Sequence, residues 1–198
     1  IIVSYKIIIF MPFIWARPVC WFLVLWSFFS HYSRAQLTAA LPVGHAHNDY
    51  EKARKPLIAA LRKGYTSIEI DVFPFRSTQL KVAHLPLFLS TAKDLEMLYF
   101  EPLEAWLNQY GTVFESPGQP LIFMIDIKKS PAESYRLLRQ LCLRYSHLIE
   151  HYLPSKDSMI KGPLKIILSG RKPYQEVLQD SIQFMALDGS PDKIDDPQ

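Results

Sequence analysis

Cysteine is nearly absent from this 198-residue chain, which holds only Cys20 and Cys142. Cys20 lies in an apolar N-terminal run, so the body of the protein keeps one thiol and a disulfide framework is excluded. Cys142 falls in the helical pattern SYRLLRQLCLRY with no base beside it, and reads as an inert core residue. Glycine is sparse too, at 7 residues, and none builds a GxGxxG or Walker loop, which counts against a nucleotide cofactor. No HExxH or cysteine cluster suggests a zinc enzyme, and no GxSxG elbow suggests a serine hydrolase. An excess of one charge is missing as well. Of the net +3, residues 1–35 supply all three charges as Lys6, Arg17 and Arg34 with no acid, so residues 36–198 sum to 3 − 3 = 0. Without a basic stripe in the body, a nucleic-acid partner is not expected. Hydrophobic residues make up 49% of the chain, ample for one ordinary domain and too many for a disordered one.

The longest apolar run, PVCWFLVLWSFF at 18–29, follows Arg17 and gives way to the polar Ser33-Arg34-Ala35-Gln36. A positive flank, a short apolar core and a small residue before a polar one read as a secretory signal cleaved after Ala35. The expected destination is secreted, periplasmic or cell-envelope. The chain opens on Ile, and Met11 alone precedes the run, so residues 1–10 read as upstream sequence. The alternative is a retained membrane anchor over residues 7–29, although Pro12, Arg17 and Pro18 interrupt it. Domain organisation then reads as 1–35 leader, 36–190 folded domain, and 191–198 a loose polar tail or truncation point.

From about residue 41, short apolar runs alternate with helical patterns. Strands are expected at 42–46, 66–73, 80–84, 121–127, 164–169 and 183–187, and helices at 56–63, 101–110, 132–145 and 173–180. LIFMIDI is apolar almost throughout, the pattern of a strand covered on both faces. Pro56 suits a first helical turn and Gly64 a helix stop. This βαβα rhythm implies an α/β fold with a parallel sheet, open or closed into a barrel. A full eight-stranded barrel needs roughly 250 residues, so the chain reads either as a smaller open fold or as a fragment of a longer protein.

The sharpest signals are ionisable residues inside strand-like runs. In TSIEIDVF, Glu69 and Asp71 are two apart, so they share one face near a strand's carboxyl end. Paired carboxylates repel unless a positive group sits between them, and a hard divalent cation with oxygen ligands is the economical partner. Asp126 interrupts LIFMIDI near its end and Lys128-Lys129 follow. GHAHNDY brings His45, His47, Asn48 and Asp49 to the end of the first strand, His84 ends LKVAH, and Ser169-Gly170-Arg171 follows LKIIL. Singly, each has a bland reading: a turn-forming Asp, a hydrogen-bonded structural His, an edge-strand Glu. Together they fall at four strand ends, and in parallel α/β folds those ends converge on one site. An oxygen-ligated cation beside two imidazoles suits phosphodiester cleavage, because imidazole takes or gives a proton near neutrality.

GHAHNDY, SIEIDV and KVAH together resemble the signature of the phosphatidylinositol-specific phospholipase C and glycerophosphodiester phosphodiesterase superfamily, most nearly a secreted bacterial branch with an HxHNDY opening. The resemblance covers about residues 43–189 and is tightest over 45–84, where a His follows Asp71 by thirteen residues. It implies a distorted TIM-like (β/α)8 barrel, here with about its first six strands. It also implies a metal-dependent phosphodiesterase, of hydrolase or phospholipase C type, that uses Ca²⁺ or Mg²⁺. Carried onto this chain, it makes His47 and His84 the catalytic histidines. Asn48, Glu69, Asp71 and Asp126 would be metal ligands, and Lys128, Ser169 and Arg171 substrate phosphate contacts. His45 has no assured counterpart. Asn48 stands where glycerophosphodiesterases carry an arginine, which favours the phospholipase-like arrangement and leaves the head group open. The implied partner is a small-molecule or lipid phosphodiester, with membrane-surface contact possible and no obligate protein partner. Two other readings remain: a different metal-dependent hydrolase, and a noncatalytic envelope protein that binds phospholipid or a polyol phosphate. Tyr99, Phe100, Trp106 and Tyr110 could serve such binding, but aromatics at helical spacing read first as core.

Overall fold

The computed structural model describes residues 37–189, so the leader and anchor readings at 1–35 and the tail at 191–198 lie outside the described residues. The described part is an α/β structure around a mostly parallel six-stranded sheet. The strands of this sheet are β1 (Leu41–His47), β2 (Tyr65–Phe75), β3 (Gln79–Val82), β4 (Leu121–Ile127), β7 (Leu164–Gly170) and β8 (Met185–Leu187). β5 (His151–Leu153) and β6 (Ser158–Ile160) form a separate two-stranded hairpin. The helices are α1 (Pro56–Arg62), α2 (Glu101–Tyr110), α3 (Pro131–Arg144) and α4 (Tyr174–Leu178).

The sheet order is β1-β2-β4-β7-β8, all parallel, so successive parallel strands are always neighbours and the order never reverses. β3 is the exception. It pairs antiparallel with the end of β2, Val72 opposite Val82 and Phe75 opposite Gln79. The strand expected at 80–84 therefore exists but does not continue the parallel series, which holds five strands rather than six. Among the described residues the sheet ends at β1 and β8, and closure into a barrel is not seen.

One sheet face forms the core. Ile68, Ile70 and Val72 of β2, Phe123, Ile125 and Ile127 of β4, and Leu164, Ile166 and Leu168 of β7 are all buried. α3 starts with a proline in its first turn, where a missing N–H costs nothing. It buries Tyr135, Leu138, Leu141 and Cys142, the spacing of a single helical stripe. Burial pushes the Cys142 thiol well above its ordinary pKa, as an inert core thiol requires. A π-helical turn (Glu96–Phe100) leads into α2 and delivers Tyr99 and Phe100 edge-on to Phe123, with ring centroids 5.7 and 5.8 Å away. The aromatics at this helix are thus core residues, as their spacing suggests.

The other sheet face departs from expectation. β4 alternates between fully and partly buried positions, so LIFMIDI is sealed on one side only. Ile122, Met124 and Asp126 lie on the half-open side, and that side carries the polar residues.

Candidate functional site

Register assembles the cluster. His45 and His47 of β1 stand opposite Ser67 and Glu69 of β2, Asp71 stands opposite Asp126 of β4, and Asp126 opposite Ser169 of β7. Because side chains alternate along each strand, these residues share the half-open face at the carboxyl ends. Carboxylate oxygens of Glu69, Asp71 and Asp126 lie within 4.8 Å of one another.

Asp71 is the hub. It is fully buried, and its Oδ2 accepts hydrogen bonds from the Tyr50 hydroxyl at 3.0 Å and from His84 Nδ1 at 2.8 Å. An ionised carboxylate only accepts, so His84 carries its proton on Nδ1 and leaves Nε2 free on a half-exposed ring. Asn48 Nδ2 lies 3.5 Å from the same His84 Nδ1, but that nitrogen is already donating to Asp71, so the two amine-type atoms are in contact rather than bonded. On the other side, Lys128 Nζ bridges Asp126 Oδ2 at 2.6 Å and Asp71 Oδ1 at 3.2 Å. Burial alone would lower the Lys128 pKa, yet hydrogen bonds and charge from Asp126 and Asp71 hold it above the ordinary lysine value. Burial and the Asp71 charge push the Tyr50 phenol far up, so it remains a donor.

Glu69 faces two imidazoles: His45 Nε2 is 3.3 Å from Oε2 and His47 Nε2 is 3.5 Å from Oε1. The Ser67 hydroxyl fixes the far side of His45, 2.9 Å from Nδ1. Asn48 follows directly in the left-handed conformation, φ 50°, which Asn tolerates better than most residues. That turn buries Asn48 to 5% exposure and leaves its Oδ1 without a donor among the described residues. Below it, the buried Tyr99 hydroxyl donates to Asp49 Oδ1 at 2.5 Å. Burial raises the Asp49 pKa against the pull of that bond.

A hard divalent cation would find oxygen donors of the right type here. The donor set is three carboxylates from β2 and β4. The amide oxygen of Asn48 is also buried without a donor among the described residues, and such an orphan is costly unless something positive approaches it. Room beside Asp126 depends on Gly170, because a Cβ there would collide with Asp126 Oδ1. The residues fit an oxygen-preferring cation.

Of the residues expected from sequence, the structure brings together His47, Asn48, Glu69, Asp71, His84, Asp126 and Lys128. Ser169 shares their face beside Asp126. Arg171 is exposed one residue past the strand end, and among the described residues no hydrogen bond or ion pair joins its side chain to the cluster; its backbone N–H is held by the Ile127 carbonyl at 2.9 Å. Lys128 grips the carboxylates rather than standing free. The sequence named His45 and Asp49 at the first strand's end without giving either a role, read Tyr99 as core, and gave no sign of Tyr50 or of the Asp49–Tyr99 pairing. His45 did carry a signal, since it lies two residues before His47 and so on the same strand face. Tyr50 and Tyr99 reach their partners 21 and 50 residues away in sequence, and no local pattern announces that.

The α/β sheet thus gathers acids and imidazoles at its strand ends, where an α/β fold places its functional groups. Residues 36–186 match the AIM6-like phosphodiesterase domain, and the chain belongs to that phosphodiesterase-type family. It is similar to two yeast proteins, each called "Altered inheritance of mitochondria protein 6". The protein of Eremothecium gossypii is 32% identical over 72% of this chain and 41% of its own length. That of Kluyveromyces lactis is 30% identical over 71% of this chain and 40% of its own length. The chain thus spans about two fifths of the length of these curated relatives. No solved structure matches.

These relatives correct the expected location. A secreted or periplasmic protein of a bacterial branch was anticipated from the leader and the HxHNDY opening, whereas the relatives are yeast proteins named for the inheritance of mitochondria. An apolar stretch behind a positive flank is a generic feature, and it does not by itself specify bacterial export. No described helix is long and apolar enough to cross a membrane, and the segment read as an alternative anchor lies outside the described residues.

Proposed function

We propose that this protein cleaves phosphodiesters, of the glycerophosphodiester or phosphoinositide type, at a divalent-cation site on the half-open sheet face. The observation that carries the reading is the meeting of Glu69, Asp71 and Asp126 within 4.8 Å, beside a histidine that Asp71 orients. The unreversed order of five parallel strands supports the start of a TIM-like barrel, whose catalytic groups sit at this end.

Asn48, Glu69, Asp71 and Asp126 would hold Ca²⁺ or Mg²⁺, which supplies Lewis-acid stabilisation of charge on the nonbridging phosphate oxygens. Around it the chain's own groups divide the work. Asp71 keeps the His84 proton on Nδ1, so Nε2 is the atom that takes or gives a proton. His47, exposed beside Glu69, is the second acid–base group, needed because one group must activate the nucleophile and another protonate the leaving oxygen. Lys128 places an ammonium between Asp71 and Asp126, within reach of a phosphate bound over the face. Ser169 lines the same face, and Arg171 sits at its rim.

The same lysine bridge favours a second reading. It compensates two carboxylates without a metal ion, so a noncatalytic phosphate-binding protein could keep them paired. Turnover of bis-p-nitrophenyl phosphate with Ca²⁺ or Mg²⁺ and with chelator separates the two readings. The enzyme reading expects cation-dependent product that disappears in His84→Ala and Glu69→Gln. Cation binding with no turnover in folded protein would overturn the enzyme reading for this substrate and favour the binding reading.

A further inference from the structure

His47 and His84 serve the proposed acid–base chemistry, which leaves His45 without a part. Its place is nevertheless built into the strand. β1 pairs Leu41 with Tyr65 and His45 with Ser67, so β1 takes four residues to cover the span that β2 covers in two. Regular pairing from Leu41 would have set His45 opposite Glu69 and carried His47 on to Asp71. The irregularity throws Val43 out to 97% exposure, and the Thr66 hydroxyl holds it by donating to the Leu41 carbonyl at 3.0 Å. It also needs Gly44, where a Cβ would stand 2.9 Å from the Tyr65 ring and 3.1 Å from the Leu41 carbonyl oxygen. Bulges of this kind re-aim side chains beside functional sites.

The bulge delivers an imidazole with both nitrogens engaged. His45 Nδ1 lies 2.9 Å from Ser67 Oγ and Nε2 3.3 Å from Glu69 Oε2, while His47 Nε2 lies 3.5 Å from the other oxygen, Oε1. An ionised Glu69 only accepts, so His45 Nε2 carries the proton and the Ser67 hydroxyl donates to the bare Nδ1. Ser67 thus selects the tautomer that grips Glu69. One oxygen of Glu69 is committed to His45, and Oε1 stays turned toward His47. A Glu side chain has rotamers to lose, and a partner that fixes it in advance removes that cost from cation binding. The His45 side chain is 38% exposed, so its contacts add little to folding stability, and a stabilising role is separable from a positioning one by experiment.

We infer that His45 is the positioning residue of Glu69: held by Ser67 in one tautomer, it fixes the Glu69 carboxylate in the orientation that receives the cation. The relay stands on the geometry of three side chains, and its effect on the cation rests on the proposed function. Ser67, His45 and Glu69 also have the order of a nucleophile, a base and an orienting acid. That use fits less well. Ser67 lies between β1 and β4, where strand pairing occupies the backbone groups that an oxyanion would need.

The test uses the full chain, titrated calorimetrically with Ca²⁺ and with Mg²⁺. His45→Ala should bind the cation about ten- to a hundredfold more weakly than the parent, with its urea unfolding midpoint close to the parent's. His45→Gln, whose amide can still donate to Glu69, should keep the affinity within about threefold, whereas the shorter His45→Asn should not. Because His45 acts through Glu69, adding His45→Ala to Glu69→Gln should lose little beyond Glu69→Gln alone. Unchanged affinity in His45→Ala beside a loss in Glu69→Gln overturns the inference and leaves the proposed cation site standing. Fully additive losses in the double variant overturn it too. A parent that binds neither cation, or Glu69→Gln that binds like the parent, overturns the proposed cation site and this inference with it. Labelling of Ser67 by a fluorophosphonate in the parent but not in His45→Ala would assign the three residues to nucleophilic catalysis and overturn the positioning role.

Discussion

Gly170→Ala should disable the candidate site without changing any of the side chains assigned to it. Gly170 ends β7 with φ +68°; an added Cβ would collide with Asp126 Oδ1 and lie 2.8 Å from the Ile127 carbonyl oxygen. Gly111 supplies the control, with φ +73° and nothing within 4 Å of its added Cβ. Alanine in the left-handed region costs about 1–2 kcal/mol at either position. At 170 Asp126 must also swing aside and give up its 2.6 Å contact with Lys128 Nζ. Such a charge-assisted hydrogen bond contributes roughly 1.5–3 kcal/mol, which brings the total to about 2.5–5 kcal/mol. Urea unfolding measures the stabilities and calorimetric titration with Ca²⁺ and Mg²⁺ the cation affinity. Gly170→Ala should fall below Gly111→Ala by about the hydrogen-bond term and lose at least about tenfold in cation affinity, while Gly111→Ala keeps it. Equal destabilisation of the two variants, or unchanged cation affinity in Gly170→Ala, would refute the reasoning.

Further expectations follow from the same geometry. Glu69→Gln removes one carboxylate from the donor set and should weaken Ca²⁺ or Mg²⁺ binding at least about tenfold by calorimetry. His84→Ala should lower phosphodiester turnover by roughly 10²–10⁴-fold with the far-ultraviolet circular dichroism unchanged. Phe123→Ala empties a fully buried position between Tyr99 and Phe100 and should cost about 3–5 kcal/mol in urea unfolding. Acid should weaken the fold partly through Asp180. Burial would raise its pKa, but hydrogen bonds from Arg139 and Tyr135 outweigh that and hold it below the unfolded value of 3.8. Its stabilisation is therefore complete above 3.8 and is lost as pH falls through the folded value. Asp180→Asn should be less stable than the parent near neutrality, and the gap should narrow progressively as unfolding is measured at pH values below 3.8.

Much of the fold was legible because the signals were local. Pro56 and Pro131 mark helix starts, and apolar runs of strand length mark the five parallel strands. The antiparallel course of β3 was not legible, because the strand pattern of 80–84 reads the same whichever way it runs. Its direction is set by the tight turn at Arg76 and Ser77, both at φ near +50°, where neither residue type advertises a left-handed turn. The β5–β6 hairpin is only three residues on each side, too short for periodicity to show. The helical run before α2 starts at Glu96 through a π turn, which shifts the register of the apolar stripe. At the site, the i, i+2 spacing of Glu69 and Asp71 placed both on one face, and Asp126 joined them through sheet register. What joins Tyr50 and His84 to one oxygen of Asp71 is tertiary placement of loops. A sequence shows the donors without showing which acceptor they share.

The central claim is that the acid–imidazole cluster cleaves phosphodiesters with the help of a divalent cation. Phosphorus magnetic resonance of glycerophosphoinositol incubated with the full chain tests it most directly, with Ca²⁺ or Mg²⁺ in one arm and chelator in the other. The predicted result is that the diester signal decays into a phosphomonoester or cyclic phosphate only in the cation arm, and not with His47→Ala or His84→Ala. A diester signal that persists unchanged beside folded, cation-saturated protein would contradict it.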